Sequence, residues 1–354
     1  MGVFDFVGTE EHESVHFGVD RETGLRSIIA IHSTALGPAL GGTRFFPYPT
    51  EDDALVDVLR LSKGMTYKAA CAGLEFGGGK AVIIGDPDIV ASDKLFEAYG
   101  RFVGSLGGTY ITAEDVGTTV SNMAIVATQT NHVSGLPREN GGSGDPSPAT
   151  ARGVIAAMEA VEEHRWGSDS LAGRKVAIKG VGKVGISLAE RLTARGAELV
   201  VADIDYGALQ KAKGLGAAVA SVDEIHQTAC DIFAPCALGA GLNSVTIPEL
   251  GCEAVVGSAN NQLATDSDGE RLKAIGITYA PDFVANAGGI INIAAERGGY
   301  TPERAAAMID QVRPNVTEVL AKAAQLDINT HEAAEHVAEE RIAKAKANRS
   351  TIDA

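Results

Sequence analysis

Cysteine is scarce: 354 residues contain four, Cys71, Cys230, Cys236 and Cys252, and their spacing matches no metal-ligand pattern. They lie in or beside apolar runs, which reads as buried free thiols in a reducing cytoplasm rather than a disulfide scaffold. No apolar run approaches the length a membrane span needs, so no membrane partner is expected. Met1-Gly-Val-Phe-Asp-Phe6 has neither a basic region nor a sustained apolar stretch, so no signal peptide is expected. Positive charge is also in short supply: 30 Lys and Arg stand against 46 Asp and Glu, a net charge of −16, with no basic cluster. A phosphate backbone would be repelled, which argues against nucleic acid as a partner. Internal repeats and low-complexity segments are missing too.

What remains is an ordinary globular composition, 45% apolar and 21% charged, in a chain long enough for two domains. Val15–Val19 and Leu25–His32 read as strands around a polar turn. Thr50-Glu-Asp-Asp53 resembles a capping box opening a helix with Leu55, Val58, Leu59 and Ser62 on one face. Ala81–Ile84 reads as a short strand, Leu95–Val103 as a helix and Thr109–Thr112 as a strand, so the first part is α/β. Asn140-Gly-Gly-Ser-Gly-Asp-Pro-Ser-Pro148 is the best hinge, with Ser147 expected to cap a helix running to about Trp166. Beyond it, Lys175–Lys179, Glu198–Ala202, Asp231–Ala234, Ala254–Val256 and Ile277–Ala280 are short apolar strands separated by helical stretches, the pattern of a doubly wound parallel sheet. From Pro302 onward the chain reads as helical.

Two segments carry chemistry. Gly180-Val-Gly182-Lys183-Val184-Gly185 lies between a strand and a helix. There the glycines would allow a tight turn, close approach of a pyrophosphate and close helix–strand packing, with the helix N-terminus facing the anion. Asp203 closes the next strand, where an acid accepts from a ribose 2′-OH and repels a 2′-phosphate, so NAD is expected rather than NADP. The second segment runs Lys63-Gly-Met-Thr-Tyr-Lys68 to Gly77-Gly-Gly-Lys80. Lys80 follows three glycines and precedes Ala-Val-Ile-Ile, which places it where a loop enters a buried strand. Desolvation there would lower its pKa and make it a base. Lys68 could pair with a substrate carboxylate, and Asp115 leaves a strand through Gly117 as a functional carboxylate would. The residues alone equally admit two surface lysines and a turn aspartate.

From about Ser27 to about Tyr300 the chain resembles the leucine/valine/phenylalanine branch of the amino-acid dehydrogenases, relatives of glutamate dehydrogenase. The resemblance runs through Leu36–Arg44, Lys63–Lys68, Gly77–Lys80, Thr112–Gly117, Ala234–Gly239, Ala259–Gln262 and Pro281–Gly289. It implies two domains separated by a cleft: an N-terminal α/β substrate and oligomerisation domain over residues 1–138, joined by returning helices at 326–354, and a Rossmann NAD-binding domain over 139–325. It implies reversible oxidative deamination in a homo-oligomer. Lys80 would activate water and Asp115 would shuttle protons. Lys68 and Asn261 would hold the α-carboxylate beside Gly41 and Gly42. Thr150 would hold the nicotinamide carboxamide, with Lys183, Val184, Ala237 and Asn260 joining the glycines and Asp203 around the cofactor.

The resemblance also maps a side-chain pocket onto Leu40, Ala113, Ile290 and Ile293. All are apolar, so a charged side chain would be desolvated unpaired. The glutamate enzymes carry a lysine where Leu40 stands. Leu40 and the two isoleucines narrow the space, favouring valine, leucine or isoleucine, with phenylalanine as the alternative. A rival from another class is a non-catalytic NAD-binding protein, which retention of Lys68, Lys80, Asp115 and Asn261 together disfavours. Ser258 departs from the alanine frequent in relatives. His331 and His336 are five apart and do not share a helical face as zinc ligands would, so no metal is expected.

Overall fold

A computed structural model describes residues 12–237 and 239–352, apart from the side chains of Asn140 and residues 349–352. Met1–Phe6, and Leu238 of the Ala234–Gly239 motif, lie outside the described residues. The chain forms two units: residues 1–145 with 293–301 and 339–354, and residues 146–292 with 302–338.

In the first unit five strands form a mixed sheet: β1 (Ser14–Asp20), β2 (Leu25–Ser33), β3 (Ala39–Phe46), β4 (Gly77–Ile84) and β5 (Tyr110–Glu114), in the order β1-β2-β4-β3-β5. The β1–β2 and β2–β4 pairs are antiparallel, and β4, β3 and β5 run parallel. Helices cover both faces, which explains why β2 and β4 are almost continuously buried. On one face, Ile28, Ala30 and Val82 pack on Ala54, Leu55, Val58 and Leu59 of α1 (Glu51–Cys71). After the short α2 (Pro87–Val90) come α3 (Asp93–Ser105) and α4 (Val120–Val126). On the other face, Ile29, Ile31 and Phe45 pack on Phe96 and Tyr99 of α3 and Met123 of α4. The strand alternation sorts these side chains between two cores. A capping box starts α1: Thr50 Oγ1 accepts from Asp53 N–H and Asp53 accepts from Thr50 N–H, both at 3.1 Å.

In the second unit six parallel strands run β11-β10-β9-β6-β7-β8: β6 (Lys175–Lys179), β7 (Glu198–Ala202), β8 (Ala218–Val219), β9 (Cys230–Pro235), β10 (Cys252–Val255) and β11 (Thr278–Tyr279). The order reverses between β6 and β9, the crevice where such sheets bind ligands. The remaining helices are α5 (Ser147–Trp166), α6 (Lys183–Thr193), α7 (Tyr206–Gly214), α8 (Ser267–Ala274), α9 (Asp282–Ala285), α10 (Gly288–Ala294), α11 (Pro302–Ile309), α12 (Val312–Leu326) and α13 (Thr330–Ile352), of which α10 from 293 and α13 from 339 belong to the first unit, with α5 packed against α6 and α12.

Four features differ from the sequence reading. Strand β4 begins at Gly77, not at Ala81, so Lys80 lies within a strand rather than at its mouth. Strand β3, over a stretch to which the sequence reading assigns no element, takes in Gly41-Gly42. Pro146 is the N-cap of α5 and Ser147 its first residue, with no side-chain cap. The units divide after Asp145 rather than after 138, and the chain returns at 339 rather than 326. Ser143 N–H donates to Glu296 at 2.6 Å and Gly142 N–H to Pro137 O at 3.1 Å, holding 139–145 to the first unit. Among the described residues no helix is long and apolar enough to cross a membrane.

Candidate functional site

Helix α1 lies so close on β4 that a Cβ at Gly78 would stand 2.1 Å from Thr66 N. Glycine at this point is a packing requirement, and it seats the end of α1, which carries the half-buried Lys68, against the strand that carries Lys80. Thr66 is fixed in turn by His32 Nδ1, 2.9 Å from its hydroxyl. Burial pushes the His32 pKa down to about 4, with the charges of His12 and Lys63 adding to it. His32 is therefore a neutral partner at physiological pH.

Lys80 is 6% exposed, opposite Ala30 of β2. Its Nζ lies 2.6 Å from Asp115 Oδ2, just past the end of β5. A lysine and an aspartate 35 positions apart thus form one buried ion pair. Burial pushes Asp115 upward, but Lys80, seconded by Arg44, outweighs it and holds the carboxyl below its ordinary range. Arg44 Nε is 3.5 Å from the same oxygen. The turn is pinned by Thr118, whose hydroxyl accepts from Asp115 N–H and donates to Thr43 O, both at 2.9 Å. Gly42 must be glycine, since a Cβ there would meet Asp115 Cβ at 2.8 Å. Its neighbour Gly41 is held through its carbonyl by Tyr110 OH at 2.6 Å.

Three of the four expected pocket residues belong to the first unit. Leu40 pairs with Gly78 and Ile111, and Ala113 with Gly42. A Cβ on Gly135 would touch Ala113 Cβ at 3.9 Å and Ile293 Cδ1 at 4.0 Å, so Ala113 and Ile293 flank one spot. Ile290 lies in the second unit, one turn before Ile293 on α10. Asn261, expected beside Lys68, is likewise in the second unit.

In that unit the Gly180–Gly185 turn joins β6 to α6. Gly180 has φ +98° and packs on Ala237, while Gly185 packs on Gly180 O. A Cβ on Gly182 would meet nothing within 4 Å, so its outer side is open. Gly182 is also the N-cap of α6 and offers no side chain to cap it, which leaves the first N–H groups for an anion. Lys183 is exposed and Val184 half-buried in this first turn. Asp203 accepts from Val181 N–H at 2.6 Å and from Asp205 N–H at 2.8 Å, so the acid braces the turn it follows.

Asn260 and Asn261 are exposed on a loop braced from below. Asn286 donates to Asn260 Oδ1 at 2.7 Å and to Ser258 O at 3.1 Å. Asn261 (φ 52°) accepts at its carbonyl from the N–H of Ala240 (φ 57°), at 2.6 Å. Left-handed alanine costs about 1–2 kcal/mol, so this clamp is held at some expense of stability. Thr150, in the first turn of α5, lies beside Gly289, where a Cβ would stand 2.8 Å from its hydroxyl. His331 packs edge-on against Phe283, with ring centroids 5.6 Å apart.

Sequence reasoning passed over Arg44, Glu296 and Asn286. Arg44 closes the Leu36–Arg44 motif and Asn286 lies inside Pro281–Gly289, so both stood within recognisable segments. Glu296 had no such signal, because its partners, Gly135 and Ser143 N–H, are more than a hundred residues away.

Comparison with known proteins agrees along the whole chain. The family model for the Glu/Leu/Phe/Val dehydrogenase dimerisation domain matches residues 10–132. The Glutamate/Leucine/Phenylalanine/Valine dehydrogenase model matches 141–228 and 216–350. A leucine dehydrogenase of Geobacillus stearothermophilus is 49% identical over 351 residues, covering 99% of this chain and 96% of that enzyme. A phenylalanine dehydrogenase of Lysinibacillus sphaericus is also 49% identical, over 91% of this chain and 86% of that enzyme. The crystal structure of an L-tryptophan dehydrogenase from Nostoc punctiforme superposes with a TM-score of 0.87 at 42% identity, covering 97% of this chain and 99% of that one. The chain belongs to the Glu/Leu/Phe/Val dehydrogenase family and is an amino-acid dehydrogenase of its leucine, valine and phenylalanine branch.

Proposed function

We propose that the chain catalyses the reversible, NAD-dependent oxidative deamination of a branched aliphatic L-amino acid to its 2-oxo acid and ammonia. The observation that carries this reading is the buried Lys80–Asp115 pair at 2.6 Å, an acid and a base in contact in a family of amino-acid dehydrogenases. In this reading Lys68 and Asn261 orient the α-carboxylate, fixing which face of Cα is presented. Asp115, kept ionised by Lys80 and Arg44, takes the proton from the substrate ammonium. The free amine can then push hydride out of Cα, and bound NAD supplies the hydride acceptor. Lys80, once its own proton has passed to solvent, takes a proton from the water that adds to the imine carbon; Asp115 gives its proton to the nitrogen, and loss of the hydroxyl proton to solvent as the C–N bond breaks leaves the 2-oxo acid and ammonia.

The residues of the glycine turn fit the cofactor. The open side of Gly182 and the uncapped N-terminus of α6 would receive the pyrophosphate. Asp203 would take the ribose hydroxyls with the lone pairs that Val181 and Asp205 leave, and its charge would turn away a 2′-phosphate. Thr150 would hold the carboxamide. The dimerisation domain supports a homo-oligomer, which we place in the cytoplasm. Leu40, Ala113, Ile290 and Ile293 as pocket lining favour leucine, valine or isoleucine over phenylalanine.

The test is NADH formation from a panel of amino acids. Highest kcat/KM with a branched aliphatic substrate supports the proposal. A large preference for phenylalanine would make this a phenylalanine dehydrogenase, and no turnover with any amino acid would leave a non-catalytic NAD-binding protein.

A further inference from the structure

We propose that Arg44 is a positioning residue for this reaction: from β3 it holds Asp115 against Lys80 and supplies a second, permanent positive charge, which Asp57 tunes from behind. The proposal rests on reading Lys80 and Asp115 as the reactive pair.

The geometry divides the guanidinium into two ends. Arg44 Nη1 donates to Asp57 Oδ2 of α1 at 2.7 Å. Tyr48 OH donates to the same oxygen at 2.7 Å, and Arg60 Nη2 donates to Asp57 Oδ1 at 3.1 Å. The other end is committed differently. Arg44 Nε is buried, finds no hydrogen-bond partner among the described residues, and stands 3.5 Å from Asp115 Oδ2. That oxygen is the one Lys80 approaches. Arg44 and Asp115 side chains are 23% and 24% exposed, so solvent screens their interaction only in part.

The groups around Asp115 are Lys80 from β4, Arg44 from β3, Asp57 and Tyr48 behind Arg44, and its own neighbour Glu114 on β5. Of the two cations, Lys80 changes charge during the reaction as read here. Arg44 cannot, because a guanidinium does not lose its proton in a protein. It keeps one positive charge beside Asp115 whatever the state of Lys80, so the buried carboxylate is paired whenever it is ionised.

The test is the pH dependence of kcat/KM for oxidative deamination in the wild type, Arg44→Gln, Arg44→Lys and Asp57→Asn. Removing a fixed cation raises the pKa of either member of the pair, so the acid limb should move up by about one pH unit in Arg44→Gln. It should stay in place in Arg44→Lys, which keeps the charge. Asp57→Asn removes the negative charge behind Arg44 and should move the limb to lower pH. Opposite shifts in the two neutralising variants support the proposal. Rates that fall equally at every pH, with the limb unmoved in both, overturn it and leave Arg44 a packing residue. If Arg44→Gln does not fold, the Asp57→Asn profile decides: a downward shift supports the role and an unmoved limb overturns it. A wild type that forms no NADH from any amino acid overturns the underlying reading as well, and shows it before any variant is made.

Discussion

Replacing Lys80 with alanine is expected to lower kcat by about 10²–10⁴, the range for losing a general acid or base. Calorimetry should find NAD affinity retained, because the glycine turn belongs to the other unit. Loss of both together would make the role structural. Lys68→Ala should raise KM for the amino acid as well as slow the reaction, since carboxylate contacts act on bound substrate. Asp203→Ser is expected to relax the preference for NAD over NADP and also weaken NAD binding, because it frees Val181 N–H. Equal kcat/KM with both cofactors in the wild type would sink the assignment. Asp115 carries a pH signature in stability. Its folded pKa lies below the ordinary 3.8, so the unfolded chain binds the proton first as pH falls. The stabilisation is complete above that value and disappears as pH drops through the folded pKa. The stability gap between wild type and Asp115→Asn should therefore be full at neutral pH and close in acid, as followed by denaturant titration.

At the scale of elements, α1 and β4 form the frame that sets the lysines. A methyl at Gly78 has no room 2.1 Å from Thr66 N, so Gly78→Ala must push the helix off the strand. Overpacking of this kind costs about 1–3 kcal/mol. It should also raise KM for the amino acid, because Lys68 moves with the helix. Thr50→Ala is the contrasting case. It removes a cap at the far end of α1 and should cost about 1 kcal/mol with KM unchanged. If denaturant melts show equal losses but KM moves in neither variant, the seating of α1 does not control carboxylate binding.

At the scale of the whole molecule, the proposed pocket predicts that substrate choice responds to side chains carried on β3, β5 and α10. Leu40→Gly with Ile293→Ala should open space and shift kcat/KM toward phenylalanine by about 10-fold or more, as expected for several methylenes removed from a pocket. An unchanged substrate ranking would show that these side chains do not line it. Identity alone does not separate the possibilities, since leucine and phenylalanine dehydrogenases both stand at 49%.

Features that depend on neighbours along the chain were legible before any folding was known. The glycine turn with Asp203, the capping box at Thr50 and the short parallel strands of the second unit were legible because turn chemistry, capping and apolar periodicity are local. Family motifs singled out Lys80 and Asp115, but composition left them open to a bland reading. Tertiary structure alone placed Lys80 inside β4, because three glycines look like a loop until α1, Ser33 and Tyr110 are packed against them. It alone joined Lys80, Asp115 and Arg44, whose interaction depends on strands β3, β4 and β5 lying side by side. Charges separated by dozens of residues signal nothing to each other in sequence. Their pairing is decided when parallel strands align in register, and the low-dielectric interior then makes that pairing matter.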